Sequence, residues 1–224
     1  MQPWNHLATA TAPEGSTLRL LRRGDEFSIR LADGNELMNS RLGGSEEALA
    51  TLALDRLVGC TAPRVLIGGL GMGFTLRAAQ AVAPREARLE VAEIVPELVD
   101  WASEHMAAVF GDCLDDPRVE VRPGDVGAMI RTATGAFDCI LLDVDNGPDG
   151  LTRDGNDTLY GVAGLQAARR ALAPGGVLAV WSASRDAGFD KRLGQCGFDA
   201  TTHMVRAGRN KRGSRHTIWI AVRR

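Results

Sequence analysis

Between Arg64 and Ser182, five largely apolar runs alternate with helical stretches, and no other feature constrains the fold as much. The runs are RVLIG (64–68), RLEVAE (88–93), VEVRP (119–123), FDCILLD (137–143) and GVLAVWS (176–182). Helical spacing fills the intervals at about 72–83, 96–108, 126–133 and 158–173. Near-continuous apolar strands belong to sheets buried on both faces, and a parallel neighbour is reached only by a crossover. The chain therefore reads as α/β, with a doubly wound, mostly parallel sheet. After a short helix at 186–195, FDATTHMVR (198–206) and HTIWIAVR (216–223) read as an antiparallel pair that completes it.

The N-terminal part has a different rhythm. Residues 1–16 read as a loose lead-in. TLRLLRR (17–23), EFSIRL (26–31) and ELMNS (36–40) read as short strands, with Gly24-Asp25 and Asp33-Gly34 as turn signals. A helix from Ser45 to Gly59 follows, with Ser45 as its expected N-cap and Glu46 and Glu47 in the first turn, where the macrodipole favours acids. This predicts a β-meander appendage over 1–44 and a main domain over 45–224.

Charge and cysteine usage narrow the function classes. The net charge of −2 gives no reason to expect a polyanionic partner. The basic run from Arg206 to His216 lacks the aromatic interleaving of a single-strand nucleic-acid platform and reads as a solvated hairpin loop. No apolar run approaches the ~20 residues that span a bilayer. The first residues have neither a basic nor an apolar segment of a secretory signal, so a cytoplasmic protein is expected. Cys60, Cys113, Cys139 and Cys196 form no CxxC pair and have no histidine at ligand spacing, so free thiols and no metal are expected.

Four segments carry chemistry. After the strand at 64–68, Gly69, Gly71 and Gly73 flank Leu70 and Met72 in a turn that leads into a helix, and a backbone without Cβ atoms admits a ligand closely. Glu93 ends the next strand, 20 residues after Gly73, where a carboxylate can accept hydrogen bonds from ribose hydroxyls. Asp125 follows Gly124 after the third strand, placed for an adenine amine or as a helix N-cap, two compatible roles. Asp143 ends the fourth strand, with Asp145 and Asn146 beyond it and a long polar segment that could form a lid. A carboxylate there can deprotonate an attacking amine or hold its charge.

Together these residues resemble the spermidine-synthase-like group of the class I S-adenosylmethionine-dependent methyltransferase superfamily. The Gly-rich turn followed by Thr75-Leu76-Arg77, Glu93 in AEI, DPRV with Gly124-Asp125, FDCILLD and LAPGGVLAV (172–180) match in order and spacing, over roughly residues 18–205. The resemblance implies a Rossmann-like methyltransferase sheet and a nucleotide-binding catalytic domain. It implies a cofactor that is S-adenosylmethionine or its decarboxylated form, held by Gly69, Gly71, Met72, Gly73, Glu93, Asp125 and Asp143. Asp143 would activate the attacking amine, with Asp145 as a second catalytic acid. Ser45, Asn146, Tyr160 and Trp181 would line the acceptor pocket, and Tyr160 and Trp219 also read as packing residues.

The chain also departs from that group. Met72 stands where aminopropyltransferases carry an Asp that holds the transferred chain's amine, and Ser45 and Thr51 replace a Tyr and a His near the polyamine. Removing one partner of a buried ion pair costs ~3–5 kcal/mol. Methyl transfer to a small-molecule acceptor is therefore the first expectation. Aminopropyl transfer from decarboxylated S-adenosylmethionine to a polyamine is the alternative, and a non-catalytic nucleotide-binding scaffold is the third. A homodimer through residues 17–60 is expected.

Overall fold

The computed structural model describes residues 2–144, 147–148, 159–208 and 213–224. The described residues form two sheets. The smaller contains β1 (Asn5–Thr11), β2 (Thr17–Arg23), β3 (Glu26–Leu31) and β4 (Glu36–Asn39), all antiparallel and paired in chain order. The lead-in is therefore not loose from Asn5 on. It pairs with β2 as an edge strand, and only Ala10 of its seven residues is buried. A strand built on Ala and Thr with one buried position shows no period-2 apolar signal, which is why it escapes a pattern reading.

The larger sheet has seven strands in the order β10-β11-β9-β8-β5-β6-β7. Its parallel part comprises β5 (Arg64–Gly68), β6 (Arg88–Glu93), β7 (Val119–Pro123), β8 (Phe137–Leu142) and β9 (Leu172–Ser182). The last strands, β10 (Phe198–Arg206) and β11 (Arg215–Arg223), pair antiparallel, and β11 is antiparallel to β9. Central positions alternate between two cores. Val65, Ile67, Cys139 and Leu141 face one and Leu66, Ile140, Leu142 and Leu178 the other, so both faces are covered as the apolar runs require.

The helices are α1 (Gly44–Leu54), α2 (Phe74–Val82), α3 (Glu97–Glu104), α4 (Ala107–Phe110), α5 (Val126–Thr132), α6 (Val162–Ala171) and α7 (Ala187–Gln195). The stretch at 96–108 thus splits into α3 and α4 at His105 and Met106. In α1 the cap is Gly43, with no side-chain bond; Ser45 lies inside the first turn and is fully buried. The reason is packing. A Cβ on Gly43 would lie 2.4 Å from the Phe74 ring, so only glycine lets α1 approach α2 this closely. The helix also stops at Leu54, earlier than Gly59. Its start is tied to the far edge of the large sheet, because the Gly44 N–H donates to the Ala207 carbonyl at 2.7 Å.

Candidate active site

The parallel strands end along one edge, where the order reverses between β5 and β8, and open sheets bind ligands at such a switch point. A cleft of about 480 Å³ lies there. One wall is the strand edge, with Gly69, Gly71, Glu93, Asp125 and Asp143; the other is the small sheet, with Leu18, Leu31, Leu37 and Met38.

The Gly-rich turn is built for close approach. Gly69 has φ +85°, and a Cβ there would sit 2.9 Å from the Asp143 carbonyl oxygen. Gly71 opens on the cleft, while Gly73, in the left-handed region, is the N-cap of α2. Met72 does not line the cleft. Its side chain is buried in the apolar cluster shared with Phe74 and Phe110, and its carbonyl accepts from Arg77 at 3.1 Å.

Glu93 is 4% exposed and clasps both neighbouring turns: one carboxylate oxygen accepts from the Leu70 N–H and the other from the Val95 N–H, each at 2.8 Å. Burial raises its pKa, against the lowering effect of those backbone donors. Glu93 also lines the cleft, and a carboxylate oxygen can accept more than one hydrogen bond. Asp125 caps α5 through the Gly127 N–H at 2.8 Å and pairs with Arg131 at 3.3 Å. Its capping role and its place in the cleft wall coexist.

At the other end stands a pair of carboxylates. Asp143 accepts from the Thr75 hydroxyl at 2.6 Å, and Thr75 Oγ1 lies 3.4 Å from the Glu46 carbonyl oxygen. Burial pushes the Asp143 carboxyl up to about 6. Burial, and then the charge of Asp143, push Glu46 up to about 7, although the Ser45 hydroxyl donates to it at 2.6 Å. Two acids that share little water resist simultaneous ionisation, and a cation placed between them relieves both. Glu46 was legible in the sequence only as an ordinary first-turn acid, and Thr75 only as part of a motif. Nothing local marks Glu46 as the neighbour of a residue 97 positions away.

The expected acceptor residues separate. Ser45 bonds Glu46 and also His216 Nδ1, at 2.8 Å. Trp181 packs edge-on against the His216 ring with centroids 4.8 Å apart, and among the described residues its buried indole N–H has no hydrogen-bond partner. Tyr160 is buried in the other core against Phe189, with its hydroxyl on the Val144 carbonyl at 3.3 Å. Trp219 is fully buried and donates to Asp190 at 3.1 Å. Thr51 bonds back to carbonyls of its own helix. Asp145, Asn146 and the segment suggested as a lid lie outside the described residues, apart from its ends. Among the described residues no cluster of His, Cys, Asp or Glu could hold a metal ion, and no helix is long and apolar enough to cross a membrane.

No family model matches the chain. In sequence it is similar to the polyamine aminopropyltransferase of Nitrosomonas europaea, at 34% identity over 97 residues, 43% of this chain. It is similar also to polyamine aminopropyltransferase 2 of Pseudomonas aeruginosa, at 32% over 120 residues, 52% of this chain. These matches span only 28% and 32% of those two proteins. In structure, the spermidine synthase of Thermotoga maritima superposes on 98% of this chain, with a TM-score of 0.73 and 17% identity, over 72% of its own length. A spermidine synthase in complex with the transition-state analogue AdoDATO gives 0.72 at 17% identity, over the same shares of both chains. The order of the sheet agrees with these structural matches: the chain has the fold of the spermidine synthases it superposes on.

Proposed function

We propose that this chain is a transferase that moves an aminopropyl group from decarboxylated S-adenosylmethionine to an amine acceptor of the polyamine class. The observation that carries this reading is the Glu46–Asp143 pair. Sequence reasoning favoured methyl transfer because Met72 removes a carboxylate from the glycine turn. Glu46, on α1, does not line the cleft but is close enough to Asp143 for the two charges to interact, so a second acid stands beside that end from a different element. Among the described residues that line the cleft the one cation is Arg131, and it pairs with Asp125 at the opposite end. An α-carboxylate brought beside two acids is repelled, whereas an ammonium is attracted. The similarity to polyamine aminopropyltransferases supports the same choice.

The nucleotide would supply an electrophilic carbon bound to a sulfonium sulfur. Glu93 offers acceptors to ribose hydroxyls, and Asp125 offers one to an adenine amine. Gly69 and Gly71 allow the ligand to approach the main chain. Asp143, held by Thr75, takes the proton that the acceptor amine loses as its lone pair attacks. Positioning of the two substrates supplies much of the remaining acceleration.

The test is calorimetry with the two nucleotides. The decarboxylated form is expected to bind at least about tenfold more tightly, a difference of ~1.4 kcal/mol. Equal affinity, or preference for S-adenosylmethionine, overturns the aminopropyl reading. The second outcome would restore methyl transfer, which the buried Met72 favours.

A further inference from the structure

The cluster around His216 is not needed to bind nucleotide, yet it is continuous with the acid pair. Ser45 Oγ, fully buried, lies 2.6 Å from Glu46 Oε2 and 2.8 Å from His216 Nδ1. On the other side of the ring, His216 Nε2 lies 2.8 Å from Ser214 Oγ, and Ser214 is exposed. Every step is within hydrogen-bond length. The chain of groups therefore runs from a half-buried carboxylate to solvent.

We propose that Ser45, His216 and Ser214 form a proton conduit that connects the carboxylate of Glu46, the acid whose charge is coupled to that of Asp143, to bulk water. The inference rests on the reading that this pair receives a proton from the acceptor. Such a proton must leave before the next turnover, and both carboxylates are only partly exposed.

The groups allow two orientations of the same hydrogen bonds. With Glu46 ionised, the Ser45 hydroxyl donates to Glu46, His216 Nδ1–H donates to Ser45, and Ser214 donates to His216 Nε2. With Glu46 protonated, each bond reverses: Glu46 donates to Ser45, Ser45 to His216 Nδ1, and His216 Nε2–H to Ser214. Passage of one proton along the chain converts the second arrangement into the first and releases a proton at Ser214, so the balance closes without any other reactant. An imidazole suits this role because its two nitrogens exchange donor and acceptor parts. Burial lowers the pKa of His216, which keeps the ring neutral and able to reverse. Trp181 against the ring face fixes its plane. The charged groups on the elements around it are Glu46 and Glu47 of α1, Arg206 of β10 and Arg215 of its own strand, with Asp199 and Arg223 at the far ends of those two strands. On β9 the neighbours are Trp181 and Ser182, which carry no charge. His216 acts through Ser45 and is a positioning residue.

Nitrogen NMR of the histidine-labelled, ligand-free protein tests this without any turnover. In the wild type, the His216 ring is expected to change from the Nε2–H to the Nδ1–H tautomer as pH rises through about 7, where Glu46 ionises. In Ser45→Ala the link is cut, and in Glu46→Gln the titrating group is gone, so both should keep one tautomer across that range. A wild-type ring that keeps one tautomer overturns the conduit. So does a change that persists in both variants. Because no nucleotide or acceptor is present, the result is independent of the calorimetric test of aminopropyl transfer.

Discussion

Asp143→Asn is expected to lower turnover by ~10²–10⁴-fold, the usual contribution of a positioned general base. Asparagine keeps the shape of the side chain and can still accept the Thr75 hydroxyl, which lies 2.6 Å from Asp143 Oδ2. It cannot take a proton. The loss should therefore fall on kcat, while affinity for methylthioadenosine, which on the proposed reading would meet Glu93 and Asp125 at the other end of the cleft, should stay unchanged. Steady-state release of methylthioadenosine reads the first quantity and calorimetry the second. An Asp143→Asn variant that turns over at the wild-type rate would remove this residue from the chemistry.

The second large effect is on stability, and its sign runs opposite to that of an ordinary carboxylate. Glu46 rises from 4.5 to about 7 in the folded protein, and Asp143 from 3.8 to about 6. Folded chains therefore hold more protons than unfolded ones between about pH 4 and pH 7, so stability falls as pH rises through that window. Above it the pair carries its full cost. Glu46→Gln removes one member and should stabilise the ligand-free protein at pH 8 by about 2–3 kcal/mol. For a chain of this length that is a gain of roughly 4–10 °C in Tm. At pH 4.5 the gain should vanish, because Glu46 is then protonated in the folded wild type. Thermal unfolding at the two pH values checks the prediction. A variant no more stable than wild type at pH 8 would show that Glu46 ionises there without strain. The same variant should lose its preference for the decarboxylated nucleotide, which ties the stability defect to binding.

The larger sheet could be read from the sequence because its signal is periodic. Strands at 64–68 and 88–93 begin and end where the apolar runs do, since burial on both faces demands apolar residues at central positions; those at 119–123 and 198–206, the edges of the sheet, also match their runs although few of their residues are buried. Glu93 and Asp125 were equally legible, as each sits at a fixed distance from a turn. β1 was not, because an edge strand with one buried residue imposes no pattern. Ser45 was misplaced by one physical fact absent from any local rule. Glycine at position 43 brings α1 against Phe74, which turns Ser45 from the cap into the interior. Ser45 and His216 were invisible as partners, for a hydrogen bond between residues 171 positions apart is a product of the crossover connections alone.

The shared cleft has a mechanical consequence. Leu18, Leu31, Leu37 and Met38 belong to a sheet whose strands pair only with one another, while Gly69, Glu93 and Asp125 stand at or just beyond the strand ends of the other. A nucleotide bound between these walls, as proposed, would be a rivet across the seam of two separately hydrogen-bonded units. Its binding free energy would then also be cohesion between them. Departure of the spent nucleoside would loosen the same joint that arrival of the next one must tighten.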